Sequence, residues 1–257
     1  MTDDLQLAHQ LADLADEITL GHFLSDELKS SLKADQTVVT EADRRAEAAI
    51  RQSLSNHRPS DAVQGEEMAD TGSSNRHWVI DPIDGTANYI RGVPIWATLI
   101  ALMNDDHVEV GLVSAPALGR RWWASIGHGA WTGGALATAR QLSVSPIDQL
   151  SQAFISYSSL AAWAAIGRQE QFTGLLQRCG RTRAFGDFYS YMLVAEGAVE
   201  IATEPELALH DMAALDVIIT EAGGSFTNLD GHLGPVGPGA LATNGFLQTQ
   251  ALESLAA

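Results

Sequence analysis

Residues 81 to 86 read Asp-Pro-Ile-Asp-Gly-Thr and follow directly on an apolar run, Trp78-Val79-Ile80. Two carboxylates three apart, a glycine and a hydroxyl therefore stand at the end of what reads as a buried strand. Burying carboxylates is costly unless a cation shares the space. Pro82 breaks regular pairing, so both aspartates can turn toward one point. Mg²⁺ takes oxygen ligands, commonly one or two carboxylates together with substrate phosphate oxygens. Gly85-Thr86 would add backbone N–H groups and a hydroxyl, equipment for holding an anion at a helix start. The same six residues also fit a plain polar turn, because Asp-Pro and Asp-Gly are common turn pairs. An aspartyl-phosphate mechanism is disfavoured by the count: it goes with D-x-D-G-T, where the carboxylates are two apart.

Other acidic groups each allow two interpretations. Gly65-Glu66-Glu67 follows a strand-like pair, yet adjacent glutamates are usually a solvated surface. Asp43 lies three after Thr40, the spacing of a capping box. Asp211 begins a helix, where a carboxylate commonly satisfies free N–H groups. Seven histidines (9, 22, 57, 77, 107, 128 and 232) show no ligand spacing and read as surface or core residues. The lone Cys179 reads as a packed helix residue rather than a nucleophile, and Trp122-Trp123 as core or subunit contact.

The elements that must position these groups can be read from periodicity. Leu7, Leu11, Leu14 and Ile18 predict a first helix over 3–24, and a second runs from Thr40 to the stop at Pro59. Short β-type segments follow, separated by turn residues such as Asn104-Asp105-Asp106, which suits an antiparallel sheet. Beyond residue 148 helices and strands alternate: AFISYSS, RQEQFTGLLQRCG, RTRAFGD, FYSYMLVAEGAV, VEIATEP and DMAALDVIITEAGG. SFTNLDGH reads as a hairpin, and FLQTQALESLA as a last helix capped by Asn244. The expected architecture is an α+β lobe, 1–148, joined to an α/β lobe, 149–257. A chain of 257 residues with net charge −17 carries nothing to neutralise nucleic-acid or anionic-membrane phosphates. One cysteine and no signal-like N-terminus predict a cytoplasmic protein.

Taken in order, VVTEAD with Asp43, GEE, WVIDPIDGT, HDMAALD and EAGG resemble the motifs of the inositol monophosphatase-like family of Mg²⁺-dependent phosphatases. The resemblance runs from the first helix to LATNGFL. RGVPIWATLIAL, VSAPALGRRWWA and RAFGDFYSYMLVAEGAVEIATEP look most like the bacterial histidinol-phosphate phosphatases of that fold. The resemblance implies a layered αβαβα sandwich with the site between its lobes, a homodimer, and two or three Mg²⁺ ions, with Mn²⁺ as a substitute. It implies Glu66, Asp81, Asp84 and Asp211 as side-chain ligands and the Ile83 carbonyl as a further oxygen. Gly85 and Thr86 would bind phosphate. Asp43, Thr86 and Glu66 would handle the attacking water, with Glu67 behind them. Arg183, Asp187 and Glu204 would face the alcohol, where the two acids could pair with the amine and imidazole of histidinol; an Arg183–Asp187 salt bridge is the competing reading. Inositol 1-phosphate or another sugar phosphate is the alternative substrate, and a non-catalytic metal- or phosphate-binding relative the second alternative.

The sequence departs from that pattern at Ala87, Tyr89 and Val38, and above all at His210, which stands where the family has Trp. His210 puts a titratable neighbour beside the expected metals.

Overall fold

The structure is a computed structural model and describes residues 2–26, 28–33, 37–134 and 138–256. Helix α1 (Asp3–His22) is capped by Thr2, whose hydroxyl accepts from the Leu5 N–H at 3.2 Å. Its buried stripe centres on Ala8, Ala12 and Ala15, small residues that allow close approach. Leu14, expected in the stripe, falls on its margin and is exposed. Helix α2 (Glu41–His57) ends before Pro59 as the sequence predicts. A two-stranded antiparallel ribbon, β1 (Ser30–Leu32) and β2 (Val38–Thr40), leads into it. Residues 34–36 of that expected extended piece lie outside the described residues.

Seven strands form the first sheet in chain order: β3 (Ala62–Gly65), β4 (Arg76–Asp84), β5 (Ala97–Asn104), β6 (His107–Ala115), β7 (Arg120–Ser125), β8 (Ala130–Gly133) and β9 (Arg140–Gln141). All neighbours are antiparallel except β3 and β4. Period-two alternation divides its apolar residues between two faces. Trp78, Ile80, Ile100, Leu102 and Trp123 pack under α1 and α2. Val79, Leu99, Ala101, Val113 and Trp122 face the opposite layer, α6 (Asp187–Ala195) and α7 (Leu209–Glu221). The Trp122-Trp123 pair is thus core on both faces.

The second sheet comprises β10 (Phe154–Ser156), β11 (Arg181–Arg183), β12 (Ile201–Glu204), β13 (Ser225–Thr227) and β14 (Ala240–Thr243), in the order β11-β10-β12-β14-β13. Strand β10 is parallel to both neighbours, and β14 is antiparallel to β12 and β13. One face meets α6 and α7 through Ala202, Phe226 and Ala242. The other meets α4 (Leu160–Ala165), α5 (Gln169–Arg178) and α8 (Gln248–Leu255) through Ile155, Ile201 and Leu241. The layers therefore run α, β, α, β, α, as expected.

One local expectation is extended and one corrected. SFTNLDGH does turn back on itself, with the Asn228 N–H donating to the His232 carbonyl at 3.0 Å and the Gly234 N–H to the Phe226 carbonyl at 3.2 Å, and β13 also pairs along β14. Asn244 precedes α8 by a turn. Its amide donates to the Ser145 and Ile147 carbonyls, while its own oxygen accepts from the Leu247 N–H. Cys179 follows α5 with its thiol pushed up to about 11 by burial, which suits a packing residue.

Candidate active site

The bend in β4 explains the Asp81–Asp84 spacing. Asp81 pairs with Leu99 and Asp84 with Ala97, so Pro82 and Ile83 together oppose the single residue Thr98. Two against one is a β-bulge, and proline has no N–H to lose there. The Thr98 hydroxyl secures the bulge on the Pro82 carbonyl at 2.8 Å. Without the extra residue, positions i and i+3 would point to opposite faces; with it, both carboxylates turn to the same side. There they meet Asp211, and one oxygen from each of the three lies within 4.8 Å of the others. The bulged segment is the strand's end and also a clustered acidic site.

Asp211 reaches that point from the first turn of α7. One of its oxygens accepts from the Ala208 N–H at 2.7 Å, so the capping role and the clustered position coexist in one carboxylate. Helix α7 lies close against β6 at Gly111, where any Cβ would stand 2.5 Å from the Ala214 carbonyl. Glu66, on the loop after β3, Asp81 and His210 form a second group whose ligand-capable atoms are likewise within 4.8 Å of one another. Burial first, and then neighbouring carboxylates, push Asp81 and Asp84 well above the usual carboxylate range. Asp211 is raised by burial despite the nearby His210. Acids gathered so closely disfavour their charged forms until a cation joins them, and this donor set, mostly carboxylate, suits hard divalent ions.

Among the described residues the one amine at the cluster is Lys33, which no motif singled out. Its Nζ lies 2.7 Å from both Glu66 and Glu67. Glu67 is thereby tied to the cluster, and its N–H donates to Glu47 at 2.8 Å.

Asp43 also performs two tasks. Its Oδ2 receives the Thr40 N–H at 2.9 Å and the Thr40 hydroxyl, the expected capping box. Its Oδ1 is left for the Thr86 hydroxyl at 3.3 Å. Thr86 Oγ1 also lies 2.9 Å from the Ile83 carbonyl, so its single proton has two acceptors. Asp43 is fully buried and raised by that burial. Gly85 opens the short helix α3 (Thr86–Ile90) with φ of +81°, and an added Cβ would lie 2.9 Å from the Ile95 carbonyl. Only glycine fits both conditions.

A cavity of about 150 Å³ adjoins the cluster, lined by Asp84, Asp187, Glu204, Glu206 and Asp211 with Tyr191 and Leu207. Glu204 at the end of β12 is pushed up to about 7 by burial, and Asp187 to about 6 by burial and then by Asp211. Asp187 has φ of +49°, unusual for a residue with a side chain. Three contacts hold it and its neighbour. Asn88 donates to its carboxylate at 2.7 Å, its N–H donates to Ser158 Oγ at 2.9 Å, and the Phe188 N–H donates to Asp84 at 2.8 Å. The Ser158 N–H also donates to Glu204. Asn88 and Ser158 have no motif spacing, and only the fold brings them here.

Arg183 does not join. It is exposed at the end of β11, its guanidinium donates to the Thr182 carbonyl, and among the described residues it makes no ion pair. The Arg183–Asp187 salt bridge is therefore not formed, because the left-handed turn at Asp187 aims the carboxylate at Asn88 instead.

Comparison with known proteins fits this geometry. The chain is 55% identical over 257 residues to a histidinol-phosphatase of Streptomyces coelicolor, covering 98% of this chain and 97% of that one. It is 52% identical over 254 residues to a histidinol-phosphatase of Mycobacterium tuberculosis, covering 98% of each. A solved inositol monophosphatase from Zymomonas mobilis superposes with a TM-score of 0.85 at 30% identity, covering 98% of this chain and 97% of that one. The model of the inositol monophosphatase family matches residues 1–257, and the chain belongs to that family.

Proposed function

We propose that this chain hydrolyses L-histidinol phosphate to L-histidinol and phosphate, using Mg²⁺, in the cytoplasm and as a homodimer. One observation carries the reading: a cation-fitting carboxylate cluster borders a cavity whose charged lining is acidic throughout, with Ser158 and Tyr191 adding hydroxyls. A phosphate needs the first, and an alcohol bearing an amine and an imidazole suits the second. The relatives named histidinol-phosphatase support the same substrate.

In this reading Glu66, Asp81, Asp84 and Asp211 hold two or three ions together with the Ile83 carbonyl, and Mn²⁺ can replace Mg²⁺. When bound, the ions neutralise phosphate charge and lower the pKa of water. The chain supplies the rest. Gly85 and Thr86 seat the phosphate. Asp43 Oδ1 accepts the Thr86 hydroxyl hydrogen bond, which leaves the Thr86 oxygen to accept from and orient the attacking water, with Glu66 alongside. As the water oxygen bonds to phosphorus, the bond from phosphorus to the alcohol oxygen breaks. The water's proton passes through Thr86 to Asp43, the departing alkoxide takes a proton from solvent water, and no phosphorylated side chain forms. Glu204 and Asp187 hold the alcohol; Arg183, pointing elsewhere in this chain, serves that role only if substrate draws it in. The site lies between segments 1–148 and 149–257. Inositol 1-phosphate is the second reading, favoured by the superposition on an inositol monophosphatase.

Phosphate release from the two esters side by side, with and without Mg²⁺, tests the proposal. Mg²⁺-dependent preference for histidinol phosphate is expected; preference for inositol 1-phosphate would overturn the substrate. Lys33→Gln provides a further check. Its ammonium competes with a cation for Glu66, so removing it should tighten Mg²⁺ binding roughly fivefold, the equivalent of about 1 kcal/mol. Weaker binding by calorimetry would show that Lys33 assists the ion instead.

A further inference from the structure

Asp81 belongs to two groups of ligand-capable side chains, and the groups differ in chemistry. With Asp84 and Asp211 it offers oxygen alone; with Glu66 and His210 it offers two carboxylate oxygens and one imidazole nitrogen. We propose that His210 is a metal-ligating residue, and that the two positions prefer different ions: Mg²⁺ among the three aspartates, Mn²⁺ or a similar first-row ion beside His210. The inference rests on the reading above that this cluster holds cations.

Three observations support it. The backbone of His210 is fixed in the first turn of α7, next to the capping Asp211, so the imidazole is presented from a rigid element. Its ring is free to ligate: Nε2 is 3.8 Å from Asp211 Oδ1, beyond hydrogen-bond reach, and among the described residues the ring makes no hydrogen bond. The carboxylates of that group attract positive charge, since Lys33 sits 2.7 Å from Glu66 in a place that an incoming cation would have to take over. Imidazole suits first-row ions such as iron, nickel and zinc. Mn²⁺ shares the oxygen ligands of Mg²⁺ but, as a first-row transition ion, accepts a nitrogen among them more readily than Mg²⁺, which holds to oxygen and gives up water reluctantly. One aspartate shared between an all-oxygen and a mixed set therefore sorts ions by type.

Pulsed electron paramagnetic resonance of the full-length, metal-stripped protein titrated with one and two equivalents of Mn²⁺ tests this. Nitrogen modulation from a bound imidazole is expected, shifting to the ¹⁵N pattern when histidine is ¹⁵N-labelled. It should vanish in His210→Gln and His210→Trp, and the preference for Mn²⁺ over Mg²⁺ in a competition titration should fall about tenfold in both. The labelled wild-type protein gives its answer without any variant. Bound Mn²⁺ without nitrogen coupling, or a coupling that survives both substitutions, overturns the assignment of His210 and leaves the metal site standing. Failure to take up Mn²⁺ or Mg²⁺ at all overturns both.

Discussion

Asp84→Asn is expected to lower kcat more than about 100-fold and at the same time to raise the melting temperature of the metal-free protein. Losing partners behind metal ligands typically costs 10–100-fold, so losing a ligand should exceed that range. The fold should tolerate the change, because an asparagine oxygen can still accept from the Phe188 N–H that Asp84 now receives at 2.8 Å. What disappears is a charge that burial, Asp187 and Asp211 all oppose. Relieving that by about 1 kcal/mol would raise Tm by roughly 2–4 °C for a chain of this size. Opposite signs in the two measurements are the signature of a site assembled against stability. Thermal melts and steady-state rates on one preparation decide it. A variant that melts lower without metal would mean that Asp84 contributes to structure in its own right.

Metal-free protein should lose stability as pH rises from about 5 to about 7.5, contrary to the usual acid denaturation. Glu204 and Asp216 are both pushed up to about 7 by burial, against roughly 4 for a free carboxyl. Between those values the folded chain keeps protons that the unfolded chain has released. Stability therefore falls with rising pH across that window, and the loss is complete above the folded values. A divalent ion acts in the other sense, because it needs deprotonated ligands and its stabilisation grows with pH. The metal-free Tm should thus drop by several °C over the range, and millimolar Mg²⁺ should flatten or invert the slope. Asp216 lies mid-way along α7, so Asp216→Asn should reduce the metal-free slope without removing the Mg²⁺ response. A metal-free Tm that climbs with pH would refute the account.

The sequence exposes those parts of the site where one local segment contains its own cause. Asp81-Pro82-Ile83-Asp84-Gly85-Thr86 does so: the proline permits the bulge, the bulge sets the parity, and glycine alone fits the turn. Asp43 and Asp211 were ambiguous between cap and site because each has two oxygens: Asp43 caps with Oδ2 and meets Thr86 with Oδ1, and Asp211 caps with Oδ2 while standing in the acidic group. The helices and both sheets were legible from periodicity, and the layering from the family resemblance. The short helix α4 was missed, having too few residues for a period to show, whereas the start of α3 was marked only by Gly85-Thr86. Lys33, Asn88 and Ser158 were invisible for a different reason. Each acts on residues 29 to 99 positions away in the chain in no repeating pattern, or across a turn whose backbone angle no motif encodes. Arg183 was placed by analogy with its segment, and its neighbour's left-handed backbone turned the expected partner away.

The bulge, the ribbon before α2 and the first turn of α7 meet at one point although residues 43, 66, 81 and 211 are far apart in sequence. Those loops close only once α7 has docked on the first sheet, and contacts of such long sequence separation are expected to form late in folding. A ligand that recognises only the finished arrangement leaves the climb to the transition state almost untouched and deepens the basin beyond it. Cations would then lengthen the lifetime of the native chain rather than hasten its formation.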